Sequence, residues 1–161
     1  MDHYFTGSAL GIADRQGRIA LPAFVRSALA RCSDAASLLL VRHEADPCLM
    51  GFDRVQLPGF HAELERRRLR DEAAGGAAGE HHARARRLFG LASEAGIDGR
   101  GRIVLPELER RRLGIGREVL FLGAGATFEI WSAARAAACA DEAVADAARF
   151  HLAEAGLADA A

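Results

Sequence analysis

Residues 14–26 read DRQGRIALPAFVR, and the same pattern returns at residues 98–110 as DGRGRIVLPELER. The two segments lie 84 residues apart and are identical at seven of thirteen positions. A repeat of this kind indicates two copies of one structural unit in a single chain. The identical positions are Asp14/Asp98, Gly17/Gly101, Arg18/Arg102, Ile19/Ile103, Leu21/Leu105, Pro22/Pro106 and Arg26/Arg110.

Each copy predicts a tight β-hairpin that leads into a helix. Apolar residues at alternate positions predict one strand before the turn and another after it, the second carrying Ile19 and Leu21. An Asp and a Gly at the spacing of Asp14 and Gly17 suit a hairpin turn. Pro22 then fits the start of a helix, where its missing N–H costs nothing.

The likeness between the two halves continues downstream. Residues 38–41 (LLLV) correspond to 119–122 (VLFL), and residues 48–52 (CLMGF) correspond to 127–131 (TFEIW). Each half therefore offers four short strands, too few to close a sheet without exposed edges. We expect an α+β fold in which two tandem hairpin repeats interleave into one pseudo-two-fold, swapped-hairpin β-barrel flanked by helices.

The expected organisation is a first repeat with its following helix at residues 1–70, an Ala/Gly linker at 71–80 and a second repeat with a C-terminal helix at 81–161. The linker prediction follows from residues 73–79 (AAGGAAG), whose small side chains cannot supply a core. The C-terminal segment, 132–157, predicts one Ala-rich helix capped by Ser132. The side chains expected on its packed face are Ala143, Val144, Ala147 and Phe150.

Composition narrows the possible classes of protein. All 21 basic residues are arginines and face 22 acidic residues, so the net charge of −1 gives no long-range attraction for phosphate. Cys32, Cys48 and Cys139 form no C-x-x-C pair, which argues against a disulfide framework and a zinc site. No stretch approaches the roughly 20 apolar residues of a membrane span, so we expect a cytoplasmic protein without membrane contact.

The longer segments FTGSALGIADRQGRIALPAFVR (5–26) and RRLFGLASEAGIDGRGRIVLPELERR (86–111) resemble the paired Asp-x-x-Gly-Arg blocks of the MraZ family. Known members are similar to the AbrB class of swapped-hairpin DNA-binding domains, but carry both halves in one chain. They form closed rings and bind short G-rich direct repeats upstream of the division and cell-wall gene cluster. The resemblance covers nearly the whole sequence. One departure is Gln16, where similar proteins often have Lys, while the second block gains Arg100.

This resemblance implies a sequence-specific, DNA-binding transcriptional regulator, expected to act as a repressor. Its partners would be double-stranded promoter DNA and further copies of itself, in a ring of eight or more subunits associated with the nucleoid. It implies no enzymatic activity, cofactor or metal. For the subunit interface, the sequence suggests the strand residues Leu120 and Phe128 together with the C-terminal helix.

The candidate DNA contacts lie in the repeated turns. Arginine presents a planar fork that can bind guanine O6 and N7 together, and the turns offer Arg15 and Arg18 in the first copy, and Arg100 and Arg102 in the second. Asp14 and Asp98 would orient an arginine or close the turn, and Gly17 and Gly101 would allow the turn itself. An alternative stays open for the last arginine of each block, which could serve only as an internal ion pair with its aspartate.

A second basic group precedes the second repeat. Arg84, Arg86 and Arg87 could extend a phosphate-facing surface, and a solvated helix face is an equally good interpretation. The adjacent His81 and His82 suggest no metal site, because neighbours on a helix point about 100° apart.

Two other classes of protein compete with a regulator. A ligand-binding or enzymatic swapped-hairpin barrel is one, since fold alone does not fix function, although the sequence shows no nucleophile with a base and no Gly-rich phosphate loop. The other is a structural oligomer or an antitoxin-like module whose tail wraps a partner. A disordered, charged tail is typical of that module, whereas residues 132–157 predict a packed helix.

Overall fold

The computed structural model describes residues 4–33 and 36–157. The outer ends of the two expected repeats, residues 1–3 and 158–161, therefore lie outside the described residues. The fold is of the α+β class, as predicted, with a six-stranded antiparallel sheet, a two-stranded sheet and flanking helices. No helix of the described part of the chain is long and apolar enough to cross a bilayer.

The first half contains four strands and two α-helices, in the order that the sequence predicts. They are β1 (Ser8–Ile12), β2 (Arg18–Ala20), α1 (Ala23–Cys32), β3 (Ser37–Arg42), β4 (Leu49–Phe52) and α2 (Leu57–Ala73). The short segment Arg54–Gln56, a 3-10 turn, precedes α2.

The second half repeats this order of strands after a helical lead-in. Its elements are α3 (Ala78–Ala85), a π-helical segment (Arg86–Gly90), β5 (Ser93–Gly96), β6 (Arg102–Val104), α4 (Glu107–Leu113), β7 (Glu118–Gly123), β8 (Phe128–Ser132), α5 (Ala133–Ala137) and α6 (Glu142–Glu154). The expected linker at 71–80 comprises the turn at 74–77 and the adjoining ends of α2 and α3. The division into two repeats around it stays a prediction.

The two halves exchange their first strands. The large sheet has the order β1-β7-β8-β4-β3-β5, so β1 of the first half pairs with β7 of the second, and β5 of the second pairs with β3 of the first. The remaining strands, β2 and β6, pair only with each other. The arrangement is symmetric under exchange of the halves, and each half supplies the edge strand that the other half lacks.

Both faces of the large sheet are covered, which explains the unbroken apolar runs in β3 and β7. On β3, Leu38 and Leu40 belong to the main core, while Leu39 and Val41 face a separate cluster under α2. Successive side chains on a strand point to opposite faces. A strand buried on both sides therefore loses the alternation of apolar and polar residues that marks a half-exposed one.

The C-terminal segment differs from the single helix that the sequence predicts. Ser132 does cap a helix, its Oγ accepting a hydrogen bond from the N–H of Arg135 at 3.3 Å, but that helix ends at Ala137. Asp141 starts a new helix by accepting from the N–H of Val144 at 3.1 Å. A capping side chain inside a helical stretch favours such a restart, because it satisfies the free N–H groups of the new first turn.

The packed face of α6 also differs from the predicted one. The buried residues are Val144, Ala145, Ala148 and Leu152, whereas Phe150 is 61% exposed. Of the predicted face, only Val144 is buried. The prediction of the face was wrong because a long run of alanines gives a weak helical pattern, in which one large residue such as Phe150 dominates the expected orientation.

The proposed interface residues on the strands lie inside the protein. Leu120 and Phe128 are both 0% exposed within one chain and pack in the two core clusters of the sheet. A side chain without accessible surface cannot contact another subunit in this fold, so this part of the interface prediction was wrong. The C-terminal helix, which carries the exposed Phe150, keeps an accessible face.

Candidate nucleic-acid interface

Two equivalent turns connect the exchanged strands to β2 and β6. In the first, Asp14 Oδ1 accepts hydrogen bonds from the N–H groups of Gln16 and Arg18, both at 2.9 Å. In the second, Asp98 Oδ1 accepts from the N–H groups of Arg100 and Arg102, again at 2.9 Å each. The aspartates thus hold the backbone of both turns in one shape.

The glycine at the end of each turn is required by the backbone, and an arginine packs against it. Gly17 has φ +83° and Gly101 has φ +72°, a region that other residues rarely adopt. A Cβ on Gly17 would lie 2.5 Å from Nε of Arg110, and a Cβ on Gly101 would lie 3.1 Å from Cδ of Arg26. Each turn therefore rests on an arginine of the other half of the chain.

These supporting arginines were not recognised as part of the site from sequence. Arg26 and Arg110 are the last of the identical positions in the repeat, and they follow the turns by nine residues. The identity was a usable signal, because a repeated arginine on two otherwise different helices suggests a shared contact. The link between halves is completed by backbone hydrogen bonds from Leu105 N–H to Gly17 O and from Leu21 N–H to Gly101 O, both 2.9 Å.

The last arginine of each block forms an ion pair with its aspartate. Arg18 Nε lies 3.1 Å from Asp14 Oδ2, and Arg102 Nε lies 2.9 Å from Asp98 Oδ2. Arg18 also donates to the Gln16 side chain. Because both pairs are largely exposed, with side-chain exposures of 43%/48% and 35%/41%, they add little to stability.

The turns keep their aspartates ionised. The backbone N–H of Arg18 lowers the pKa of Asp14, and the Arg18 side chain and the Gln16 N–H lower it further. The pKa of Asp98 is lowered in the same way, chiefly by the backbone N–H of Arg102 and then by that of Arg100. Each turn thus carries a fixed negative charge beside its arginines.

The two-stranded sheet of β2 and β6, called the ribbon below, has one inner and one outer face. Ile19 and Ile103 face each other in register and are buried, at 2% and 1% exposure. The residues before and after each isoleucine point outward. The register pairs Arg18 with Val104 and Ala20 with Arg102. Arg18 and Arg102 therefore occupy diagonal positions on the outer face, with backbones about 7–8 Å apart.

The turn arginines flank this outer face. Arg15 and Arg100 are exposed, and among the described residues neither side chain takes part in an ion pair or a hydrogen bond. Since β2 and β6 run antiparallel, the two turns stand at opposite ends of the ribbon. Arg18 and Arg102 thus share the outer face of the ribbon, and Arg15 and Arg100 lie in the turns at its two ends.

The second basic group lies elsewhere. Arg84 pairs with Asp71 at 2.5 Å, which ties α3 to α2, and with Glu80 of α3 itself at 3.3 Å. Arg86 is exposed at the start of the π-helical segment. That segment covers the face of the large sheet opposite to the ribbon, because its Leu88 packs on the cluster under α2. Arg84 and Arg86 are therefore not brought together with the turn arginines.

A recess of about 300 Å³ lies between β3, β4 and α2. Its carboxylates include Glu44, whose pKa is lowered chiefly by the hydrogen bond from the Arg67 side chain, and Glu63, whose pKa is lowered chiefly by Arg66. A general acid near neutral pH needs a raised carboxyl pKa, the opposite shift. The recess therefore gives no support to acid–base catalysis by these groups.

Fold and site define a class of protein, a pseudo-symmetric α+β chain whose exchanged halves present arginines on one short ribbon. Similarity to known proteins agrees with this class. The family model described as "MraZ protein, putative antitoxin-like" matches residues 88–157, the second half of the chain.

Relatives extend the match over both halves. Transcriptional regulator MraZ of Bordetella pertussis is 38% identical over 133 residues, which cover 81% of this chain and 83% of the relative. The protein of the same name from Nitrosococcus oceani is 34% identical over 122 residues, covering 73% of this chain and 74% of the relative. That from Stenotrophomonas maltophilia is 31% identical over 130 residues, covering 80% and 82%. The chain therefore belongs to the MraZ family, and these relatives are named as transcriptional regulators rather than enzymes.

Proposed function

We propose that this protein is a transcriptional regulator that binds double-stranded DNA in a sequence-specific manner through the outer face of the ribbon. The observation that supports the proposal is that Arg18 and Arg102 share the outer face of the ribbon, with the exposed Arg15 and Arg100 in the turns at its two ends. Named relatives that are transcriptional regulators support it. The near-neutral charge of the whole chain means that recognition depends on this local cluster.

The dimensions of the ribbon suit the major groove. That groove is about 12 Å wide and admits a two-stranded β-ribbon, and arginine is the residue that most often reads guanine there. Arg18 and Arg102 would read base edges from the outer face, with Asp14 and Asp98 fixing their Nε atoms. Arg15 and Arg100, free at the two ends, would reach bases or phosphates beyond the ribbon. This assignment fits an operator of short G-rich direct repeats.

We further propose that the exchanged sheet and the ribbon form one swapped-hairpin barrel with residues 1–70 and 81–161 as its two repeats. The strand order supports this, since β1 and β5 stand at the two edges of the large sheet and each continues through its turn into the ribbon. The ribbon would then connect the two edges across the core.

Assembly belongs to the mechanism, because a few arginines make a weak binding surface. Non-specific affinity from such a surface is about 10⁻⁴ M or weaker at physiological salt. Several subunits aligned on successive repeats can gain roughly 10² to 10⁴ in avidity. We therefore propose a homo-oligomeric ring of eight or more subunits, acting as a repressor at the nucleoid. Exposed apolar side chains at Phe89, Leu91 and Phe150 offer surface for such contacts.

An antitoxin-like module remains the second candidate, favoured only by the description of the family model. Such a module binds its partner through an extended tail. Here the C-terminal helix α6 packs on the protein through Ala145, Ala148 and Leu152, so this segment is not available to wrap a partner. The geometry favours DNA.

Fluorescence anisotropy with duplex DNA from upstream of the gene tests the proposal. We expect Arg18→Ala/Arg102→Ala to abolish the preference for this duplex over a shuffled one. The matched control is Arg66→Ala/Arg70→Ala, which removes the same charge from α2, where both arginines pair with Glu63. Equal loss in both double variants would show that only total charge matters and would overturn the proposed role of the ribbon.

A further inference from the structure

A shallow recess of about 430 Å³ lies directly beside the first turn. Arg15 contributes to it from the turn, and Arg110 and Arg111 contribute from α4 of the other half. Glu107 is the one carboxylate among its lining residues, and the backbone of 114–116 closes one side. Three guanidinium groups around one small volume are a suitable environment for an oxyanion.

Arg110 is held against the first turn. Its Nε is buried and has no acceptor in the described part of the chain. Its guanidinium packs against Gly17, so the side chain is held in place by the turn above it. A guanidinium that is already held in place loses less freedom on binding an anion than a mobile one does.

Arg111 can exchange its ion-pair partner for another anion. Its Nη2 lies 2.5 Å from Oε1 of Glu107, but the two side chains are 77% and 65% exposed. Exposed pairs of this kind are weak and are readily replaced by another anion. A simpler explanation of the basic last turn of α4 is that it offsets the helix dipole. That explanation covers Arg110 and Arg111, but not the convergence of Arg15 from a different part of the chain.

The second turn lacks an equivalent recess chemistry. The repeat aligns Arg15 with Gly99 and Arg111 with Ser27, so only the position of Arg110 keeps its arginine, as Arg26. Arg26 is exposed at the second turn, whereas Arg110 is partly buried. The two ends of the ribbon are therefore chemically different although their backbones match.

We propose that this recess, lined by Arg15, Arg110 and Arg111, binds a phosphate of the DNA backbone at one end of the ribbon only. The inference rests on the proposed function and deepens it. A phosphate contact strengthens binding on every sequence equally and sets orientation, whereas base contacts on the ribbon set preference. A one-sided contact gives a pseudo-symmetric protein a defined direction on a direct repeat.

The test compares Arg111→Gln with Arg112→Gln, which loses the same charge from the same helical turn but does not line the recess. Arg112 pairs instead with Glu109 at 3.9 Å. Anisotropy over a salt series is expected to show that Arg111→Gln weakens binding to promoter and shuffled duplexes by the same factor. The slope of log K against log salt should fall by about 0.9 for each bound subunit, while Arg112→Gln leaves the slope as in the wild type. Equal slopes in the two variants would contradict phosphate binding in the recess.

A second measurement separates failure of the recess from failure of DNA binding. The Tm of each intact protein is measured in inorganic phosphate and in chloride of equal ionic strength, since a bound anion stabilises the folded state. A smaller phosphate-induced rise in Arg111→Gln than in Arg112→Gln supports the recess even if no duplex binds, in which case only the proposed function fails. If the variants do not differ in either measurement, phosphate binding in the recess is overturned. DNA binding by the wild type is not affected by that result.

Discussion

The ion pair between Asp98 and Arg102 can be separated from DNA contact by changing each partner alone. Asp98→Asn keeps an oxygen that can accept the 2.9 Å hydrogen bonds from the N–H groups of Arg100 and Arg102, removes the charge, and places an NH2 group where Oδ2 accepts from Arg102 Nε. Arg102→Gln removes the guanidinium and leaves the turn. Because the pair is exposed on both sides, at 35% and 41%, we expect each variant to shift the Tm by less than about 4 °C.

The two variants are expected to differ strongly in DNA binding. A bidentate arginine contact to guanine is worth roughly 1–3 kcal/mol, so Arg102→Gln should weaken binding to the promoter duplex by about 5- to 150-fold. Asp98→Asn loses the contact that fixes Arg102 Nε but also removes a negative charge next to DNA, so it should weaken binding far less than Arg102→Gln does. Anisotropy at one fixed salt concentration measures both. If the two variants lose the same affinity, Arg102 acts only by holding its turn, and the reasoning about direct contact is refuted.

Three further predictions concern stability, measured by guanidinium unfolding. Leu152→Ala, in the packed face of α6, should lower the free energy of unfolding by about 2–4 kcal/mol, whereas Phe150→Ala, on the exposed face, should change it far less; the reverse order would place the face where the sequence suggested. Gly51→Ala should destabilise by about 1–3 kcal/mol, because the new Cβ would lie 2.3 Å from a phenylalanine ring, and a neutral result would contradict that packing. Since the pKa values of Asp14 and Asp98 are lowered in the fold, their contribution is present above about pH 4 and is lost as pH falls. Asp14→Asn/Asp98→Asn should therefore lose less stability than the wild type between about pH 4 and pH 2, and parallel profiles would contradict the shifts.

The repeat made much of the fold predictable from sequence. Each half offers the same order of short strands, too few to close a sheet, so the sequence required pairing between the halves. The structure shows this exchange, because β1 pairs with β7 and β5 pairs with β3. The strand positions around residues 38–42 and 48–52 were predicted to within a residue. The turns were equally predictable, because an Asp that accepts backbone hydrogen bonds and a Gly that adopts positive φ are typical of a hairpin turn.

The C-terminal region and the support under the turns could not be predicted in the same way. Alanine-rich sequence carries little information on which face is buried, so the face of α6 depends on tertiary packing, while the break before Asp141 follows from its capping side chain. The contact of Arg110 with Gly17 joins residues that are far apart in sequence and nearby only because the halves exchange. No local pattern encodes such a contact, although the repeated arginine hinted at it.

The most direct test of the ribbon as a DNA-reading surface is the ratio of affinities for promoter and shuffled duplexes, measured by anisotropy for the wild type and for Arg18→Gln/Arg102→Gln. Both arginines lie on the outer face in exposed ion pairs that add little to stability, so their removal leaves the fold intact. Specific regulators bind their sites about 10³-fold or more above other DNA. We predict such a preference for the promoter duplex in the wild type and equal binding of both duplexes by the double variant. Equal binding of the wild type to both duplexes would contradict it.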